Sequence, residues 1–215
     1  MEVSVVRSDA PQPDLLGPDQ IIKLLPAVEY DKFDRDGLRL WCHHNGRYGL
    51  PTVELIAWLK DYIGNRPAIE IGSGAGDLAY HLGIRGTDSK IQTDPLAAAF
   101  YRLMQQPLIH YPDWVEKLEA WDAVWKYKPQ VVVASWVTHW IDPHGPPPPG
   151  GGCMFGVRED HLLSTGVTYV LIGNLLVHRY KPIMQRPHRT IEVPFLRSRA
   201  NFPDQDRILI WNEMP

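Results

Sequence analysis

The chain has 215 residues, with 22 Lys and Arg against 25 Asp and Glu, a formal charge of −3 at pH 7. That length suits one domain able to bury roughly 70% of its unfolded surface, and the slight acidic balance disfavours a surface that coats nucleic acid, which needs a clear basic excess. Only Cys42 and Cys153 are present, the start MEVSVVRSDAPQPD lacks the apolar core of a signal peptide, and no apolar run approaches the length of about 20 residues that spans a bilayer. A soluble, reduced, cytoplasmic protein without a membrane segment is expected.

In chain order, Met1 to Pro18 is rich in Pro and Asp and reads as an extended or frayed arm. Asp19 to Lys32 has room for a short helix, interrupted by Pro26. The segment Leu38 to Gly49, LRLWCHHNGRYG, is too dense in Trp41, Cys42, His43, His44, Arg47 and Tyr48 for a plain connector. Adjacent His43 and His44 do not converge on one ion from a helix or strand, and no CxxC or HxxxH partner follows, so no metal is expected. Pro51 opens a helix with Glu54 in its first turn and Leu55, Ile56, Trp58, Leu59 and Tyr62 on one face; Gly64 closes it.

The stretch Ala68 to Asp77, AIEIGSGAGD, then packs a short buried strand, a carboxylate and three alternate glycines into ten residues. A dinucleotide fingerprint needs a further glycine where Asp77 stands, and no Gly-Lys-Ser or Gly-Lys-Thr follows for a triphosphate loop. The order acid, apolar, Gly, any, Gly, any, Gly is present as Glu70, Ile71, Gly72, Ser73, Gly74, Ala75, Gly76. On these residues the chain resembles the class I methyltransferases that use S-adenosylmethionine. The resemblance implies that Glu70 helps hold the amino-acid end of the cofactor and that Gly72, Ser73, Gly74 and Gly76 pass under its ribose and methionine. It also gives the segment before the helix a use, with Arg47 or Tyr48 reaching the cofactor's carboxylate or closing its ribose side; a surface loop around a buried Trp is the other reading. Residues 1–50 are accordingly taken as an N-terminal arm and cofactor-covering segment, and 51–215 as the methyltransferase domain.

Downstream, Ile84 to Asp88 should be the second strand, ending in a carboxylate suited to two vicinal hydroxyls. Asp88 is the ribose ligand expected; its rival Asp94 is read as the cap of a helix from Pro95 to Gln105. Trp114 to Ala120 reads as a weak third strand or as part of a helix spanning Trp114 to Lys128. By the resemblance, Glu119 faces the adenine amine and Ala120 the ring. Gln130 to Ser135 is an uninterrupted β-branched run, a central parallel strand. Ligands bind at the carboxyl ends of such strands, which places Ser135 to His144 at the reaction face; by the resemblance, Ser135 and Trp136 lie beside the cofactor and Trp136, His139 and Trp140 against the acceptor. His139 or His144, with Asp142, are the candidate catalytic groups, to take a proton if the acceptor is a hydroxyl or protonated amine; each His has an alternative as a polar residue at a loop mouth. No Asn/Asp-Pro-Pro-Tyr/Phe or Pro-Cys motif of the nucleic-acid methylating classes occurs, so nucleic acid is not an expected substrate.

His144 to Gly156 is read as a lid or a passive loop, Val157 to Thr165 as a short helix and Val167 to Leu176 as the fifth strand. Ile191 to Leu196 and Arg207 to Trp211 form a closing antiparallel pair, which the resembled fold has after its fifth strand. The expected architecture is α/β, a doubly wound seven-stranded mostly parallel sheet with a C-terminal antiparallel pair. The expected activity is methyl transfer from S-adenosylmethionine to an oxygen or nitrogen of a small molecule. The alternatives are a cofactor-binding protein without transfer chemistry that acts through a partner, and a nicotinamide-dependent reductase. The acceptor and the oligomeric state are not specified by these features.

Overall fold

The computed structural model describes residues 13–145 and 152–213. Its elements follow in chain order: α1 (Ala27–Tyr30), α2 (Arg35–His44), β1 (Gly49–Leu50), α3 (Val53–Ile63), β2 (Ala68–Ile71), α4 (Asp77–Leu82), β3 (Arg85–Asp88), α5 (Pro95–Leu103), β4 (Glu116–Lys117), α6 (Ala120–Tyr127), β5 (Val131–Ser135), α7 (Glu159–Ser164), β6 (Thr168–Asn174), α8 (Leu175–His178), β7 (Arg189–Ile191), β8 (Arg197–Ser198) and β9 (Asp206–Trp211). Seven strands make one sheet in the order β4-β3-β2-β5-β6-β9-β7, while β1 and β8 form a separate antiparallel pair. The strands β4, β3, β2, β5 and β6 run parallel, and β9 and β7 close the sheet antiparallel. This is an α/β fold with a seven-stranded, mostly parallel sheet and a C-terminal antiparallel pair.

Side-chain alternation along the central strands divides the core into two layers. Val132 and Ala134 of β5, with Tyr169 and Leu171 of β6, pack against Ala123 and Val124 of α6 and Leu162 and Leu163 of α7. Val131, Val133, Val170 and Ile172 face the other way, onto Leu55, Ile56 and Leu59 of α3 and Leu78 and Leu82 of α4. Because helices cover both faces, these strands read as continuous apolar runs rather than as alternating ones. Among the described residues no helix is long and apolar enough to cross a membrane.

The N-terminal region departs from the sequence reading. Residues 1–12 lie outside the described residues, but Leu15 and Ile22 are fully buried, in one small cluster with Tyr30, Trp41, Cys42 and Leu50. Helix formation within Asp19 to Lys32 is confined to α1, which starts directly after Pro26. Most of the Leu38 to Gly49 segment is helical rather than a loop: Asp34 caps α2 by accepting the Gly37 N–H at 2.7 Å, and the apolar side of α2 turns Trp41 and Cys42 inward. The third strand shrinks to β4, two residues long, and the helix begins only at Ala120. In the closing pair the outer partner of β9 is the edge strand β7, earlier in the chain than Ile191 to Leu196, whereas Arg197 and Ser198 pair with β1. Residues 146–151 of the proposed lid from His144 to Gly156 lie outside the described residues. Beyond the gap the chain returns alongside His139 to Ile141, with the Cys153 N–H donating to the His139 carbonyl at 3.0 Å.

Candidate functional site

The chain leaves β2 for β3 and β4 on one side and returns to β5 on the other, so the carboxyl ends of β2 and β5 flank a switch point where an α/β sheet opens a crevice. The glycine turn sits there, with φ of +57° at Gly72, +55° at Gly74 and +82° at Gly76, values that side-chain-bearing residues adopt only with strain. Their uses differ. A Cβ on Gly72 would come within 2.5 Å of Val137 Cγ1, and one on Gly76 would overlap the Trp114 ring, so both allow close packing. At Gly74 the nearest atom would be Ile109 Cδ1 at 3.5 Å, and Gly74 lines a cavity of about 130 Å³ together with Glu70, Ser73, Ser135, Trp136 and Asp206.

Acids stand at the ends of three adjacent parallel strands. Glu70 on β2 is buried; its Oε2 accepts the Ala79 N–H of α4 at 2.9 Å, and burial pushes its carboxyl up to about 8. Asp88 ends β3 with Oδ2 accepting the Gly74 N–H at 2.9 Å and Oδ1 the Lys90 N–H at 2.7 Å. Burial raises its pKa, and those two bonds pull the other way. Glu119 follows β4 and caps no amide of α6; partial burial and then the Asp88 charge raise its pKa. With Ala120, Ser89, Trp121 and Trp140 it lines a second cavity of about 370 Å³. Asp94 does cap α5, accepting the Leu96 and Ala97 N–H groups at 2.9 and 3.1 Å.

Arg47 lines the turn cavity, but its guanidinium is already engaged. Nε donates to Asp77 Oδ2 at 2.7 Å, Nη2 to the Gln20 carbonyl at 2.7 Å and Nη1 to the Asn45 carbonyl at 2.8 Å. Asp77 Oδ1 also accepts the Ile22 N–H at 2.8 Å. The expectation that Arg47 reaches a ligand carboxylate is therefore corrected: it fastens the N-terminal region to the start of α4. Tyr48 lines the same cavity, and its ring lies 3.8 Å from the Arg199 guanidinium carbon.

Past β5, Trp136 has φ +58°, a left-handed conformation that costs a bulky residue on the order of 1–3 kcal/mol. Its N–H donates to the Ile172 carbonyl at 2.9 Å, and a Cβ on Gly49 would lie 3.0 Å from its Nε1. Such strain persists where surrounding structure enforces it, often at ligand sites. The candidate catalytic residues differ in burial. His139 is buried, a Cβ on Gly152 would lie 2.7 Å from its Nε2, and burial followed by the Lys181 charge lowers its pKa. Asp142 and His144 are exposed, and the Asp142 carboxylate accepts the His144 N–H at 2.9 Å. Trp140 lies under the Arg158 guanidinium at 3.9 Å and faces the second cavity.

Sequence reading missed two features here. Asp206, at the start of β9, lines the turn cavity; its only signal was an acid opening the apolar run DRILIW. Lys181 is buried with its Nζ 2.9 and 2.8 Å from the two oxygens of Glu159, which also accepts the Tyr169 hydroxyl at 2.8 Å. No pattern brings together three residues from α7, β6 and the turn after α8. No protein-family model matches the chain, and no curated protein matches its sequence.

Proposed function

We propose that this chain is a cytoplasmic, Rossmann-like enzyme that binds S-adenosylmethionine across the Gly72 to Gly76 turn and transfers its methyl group to an oxygen or nitrogen of a small molecule. The observation that carries the reading is the row of acids, Glu70, Asp88 and Glu119, at the carboxyl ends of three adjacent parallel strands beside that turn. An ammonium, a ribose diol and an adenine amine are hydrogen-bond donors in series, and carboxyl groups are the side chains that accept from each, the ammonium charge itself favouring ionisation of Glu70.

The residues fit such a group. Gly74 leaves open space where any side chain would intrude. Each oxygen of Asp88 holds one backbone N–H and keeps a second lone pair for a hydroxyl. Glu119 spends none of its acceptors on capping α6. The bound sulfonium supplies an activated methyl group, and the chain's own contribution is alignment of the acceptor and exclusion of water at the end of β5. The strained Trp136 and the half-buried Ser135 form the side of the cavity from which an acceptor would approach.

A second reading, cofactor binding without transfer, is favoured by the burial of His139 and the exposure of Asp142 and His144 to solvent. Calorimetry with S-adenosylmethionine and its demethylated product tests binding, and labelled methyl transfer to cell-extract small molecules separates the two readings. Folded protein giving no heat with either compound would remove both; a raised melting temperature with NADH instead would favour a reductase.

A further inference from the structure

The cavity at the glycine turn and a larger groove of about 470 Å³ share three lining residues, Leu196, Arg197 and Asp206. The groove runs between the N-terminal helices and the C-terminal strands, with Tyr30, Phe33 and Leu38 on one wall and Val193 and Pro194 on the other. These apolar walls carry charged side chains between them, and the Asp206 carboxylate stands where the groove meets the cavity.

The charges along it are unequal. Asp31, Glu192, Asp204 and Asp206 face Arg35, Arg197 and Arg207. Arg197 is held in a two-point pair with Asp31 at 2.7 and 2.6 Å, and Arg207 pairs with Glu192 at 2.7 Å. Arg35 donates to the Asn201 carbonyl at 2.6 Å. Asp206 is 4% exposed and has neutral partners: Oδ1 accepts from Asn174 Nδ2 at 2.8 Å and Oδ2 from Ser198 Oγ at 2.7 Å. Burial raises its pKa, although those bonds and the Arg207 charge oppose the shift. Each oxygen keeps a lone pair, so a buried acceptor stands at the junction of two cavities, short of a hydrogen-bonded cation.

We propose that Asp206 anchors the ammonium group of the methyl acceptor, an alkyl- or arylalkylamine whose apolar body lies in the groove and whose nitrogen reaches the glycine-turn cavity; for transfer the ammonium gives a proton to the Asp206 carboxylate, and the freed nitrogen lone pair forms the N–C bond as the sulfonium C–S bond breaks, its electron pair staying on sulfur. The proposal rests on the S-adenosylmethionine reading for the fate of that nitrogen, but the anchor itself is tested by binding alone. A cation at this point supplies the charge that Asp206 lacks, whereas an alcohol supplies only a hydrogen bond and a carboxylate would be repelled.

The test uses the full chain, first titrated with S-adenosylhomocysteine and then, with and without it, with phenethylamine, 2-phenylethanol and phenylacetate. Phenethylamine should bind at least tenfold more tightly than 2-phenylethanol, and phenylacetate should bind weakest. Asp206→Asn should abolish the preference for the amine. Val193→Trp, which obstructs the groove without touching the carboxylate, should weaken phenethylamine at least tenfold and spare S-adenosylhomocysteine; it decides the matter if Asp206→Asn does not fold. Equal binding of amine and alcohol, no binding of either, or a preference that survives both substitutions overturns the anchor. A folded chain that prefers the amine but ignores S-adenosylhomocysteine upholds the anchor and refutes the cofactor reading.

Discussion

Asp88 accepts the Gly74 N–H at 2.9 Å and so ties the glycine turn to the end of the neighbouring strand. The same carboxylate is the one expected to hold a ribose diol, so structural and binding roles fall on one side chain. Asp88→Ala should leave the buried Gly74 N–H and the part-buried Lys90 N–H unpaired, costing about 1–3 kcal/mol of stability, and should weaken S-adenosylhomocysteine by at least tenfold. Urea denaturation reads the first effect and calorimetry the second; unchanged affinity would take Asp88 out of the site.

Gly74 and Gly76 should respond differently to a methyl group. Gly76→Ala places its Cβ inside the Trp114 ring and near Val115, so a loss of more than about 3 kcal/mol is expected. Gly74→Ala meets only Ile109 at ordinary contact distance, and should cost about 1–2 kcal/mol for its left-handed backbone. Its larger effect should be on ligand binding, because the methyl group enters the cavity. Parallel melts and titrations on the two variants check this contrast.

Stability should pass through a pH dependence set by two buried groups of opposite sign. Glu70 is pushed up to about 8, so the folded state retains a proton the unfolded chain gives up above its ordinary pKa of 4.5, and its contribution falls as pH rises from 4.5 to 8. His178, whose Nδ1 accepts the Asn174 N–H at 2.9 Å, is pushed down to about 3 by burial and then by Lys181, so its contribution falls as pH drops from 6.5 to 3. The two oppose each other between 4.5 and 6.5, and above 6.5 the Glu70 decline, at most about 1.4 kcal/mol per pH unit, should stand alone. Glu70→Gln should remove that decline in urea midpoints measured from pH 6.5 to 8.

The buried Lys181 and Glu159 pair should be costly to break and less costly to remove. Lys181→Met alone leaves the Glu159 carboxylate with only the Tyr169 hydroxyl, and should cost about 3–5 kcal/mol. Adding Glu159→Leu and Tyr169→Phe should recover much of that loss, which a cycle of urea denaturations measures.

Several parts of the fold were legible because their residues act locally. The β-branched run at Val131 to Val133, the positive-φ glycines after Ile71, the Asp94 cap and Pro51 before α3 each depend on near neighbours in the chain. The strand-ending acids Glu70 and Asp88 were legible for the same reason, each lying at a short fixed distance from the glycine turn. Helix α2 was not, since the polar stretch RDGLRLWCHH shows its apolar side only when Leu15, Ile22 and Leu50 are present to receive it.

By itself the amino-acid order determined the kinds and succession of the main elements, the place of the glycine turn and the acids beside it, because backbone preference and side-chain periodicity are settled within a few residues. Tertiary structure alone decided how those groups are used. It committed Arg47 to Asp77 across 30 positions, buried His139 while leaving Asp142 and His144 exposed, and set Asp206 where two cavities join. Those outcomes depend on which distant segments compete for the same buried space and the same hydrogen bonds, and that competition exists only once the layers have packed.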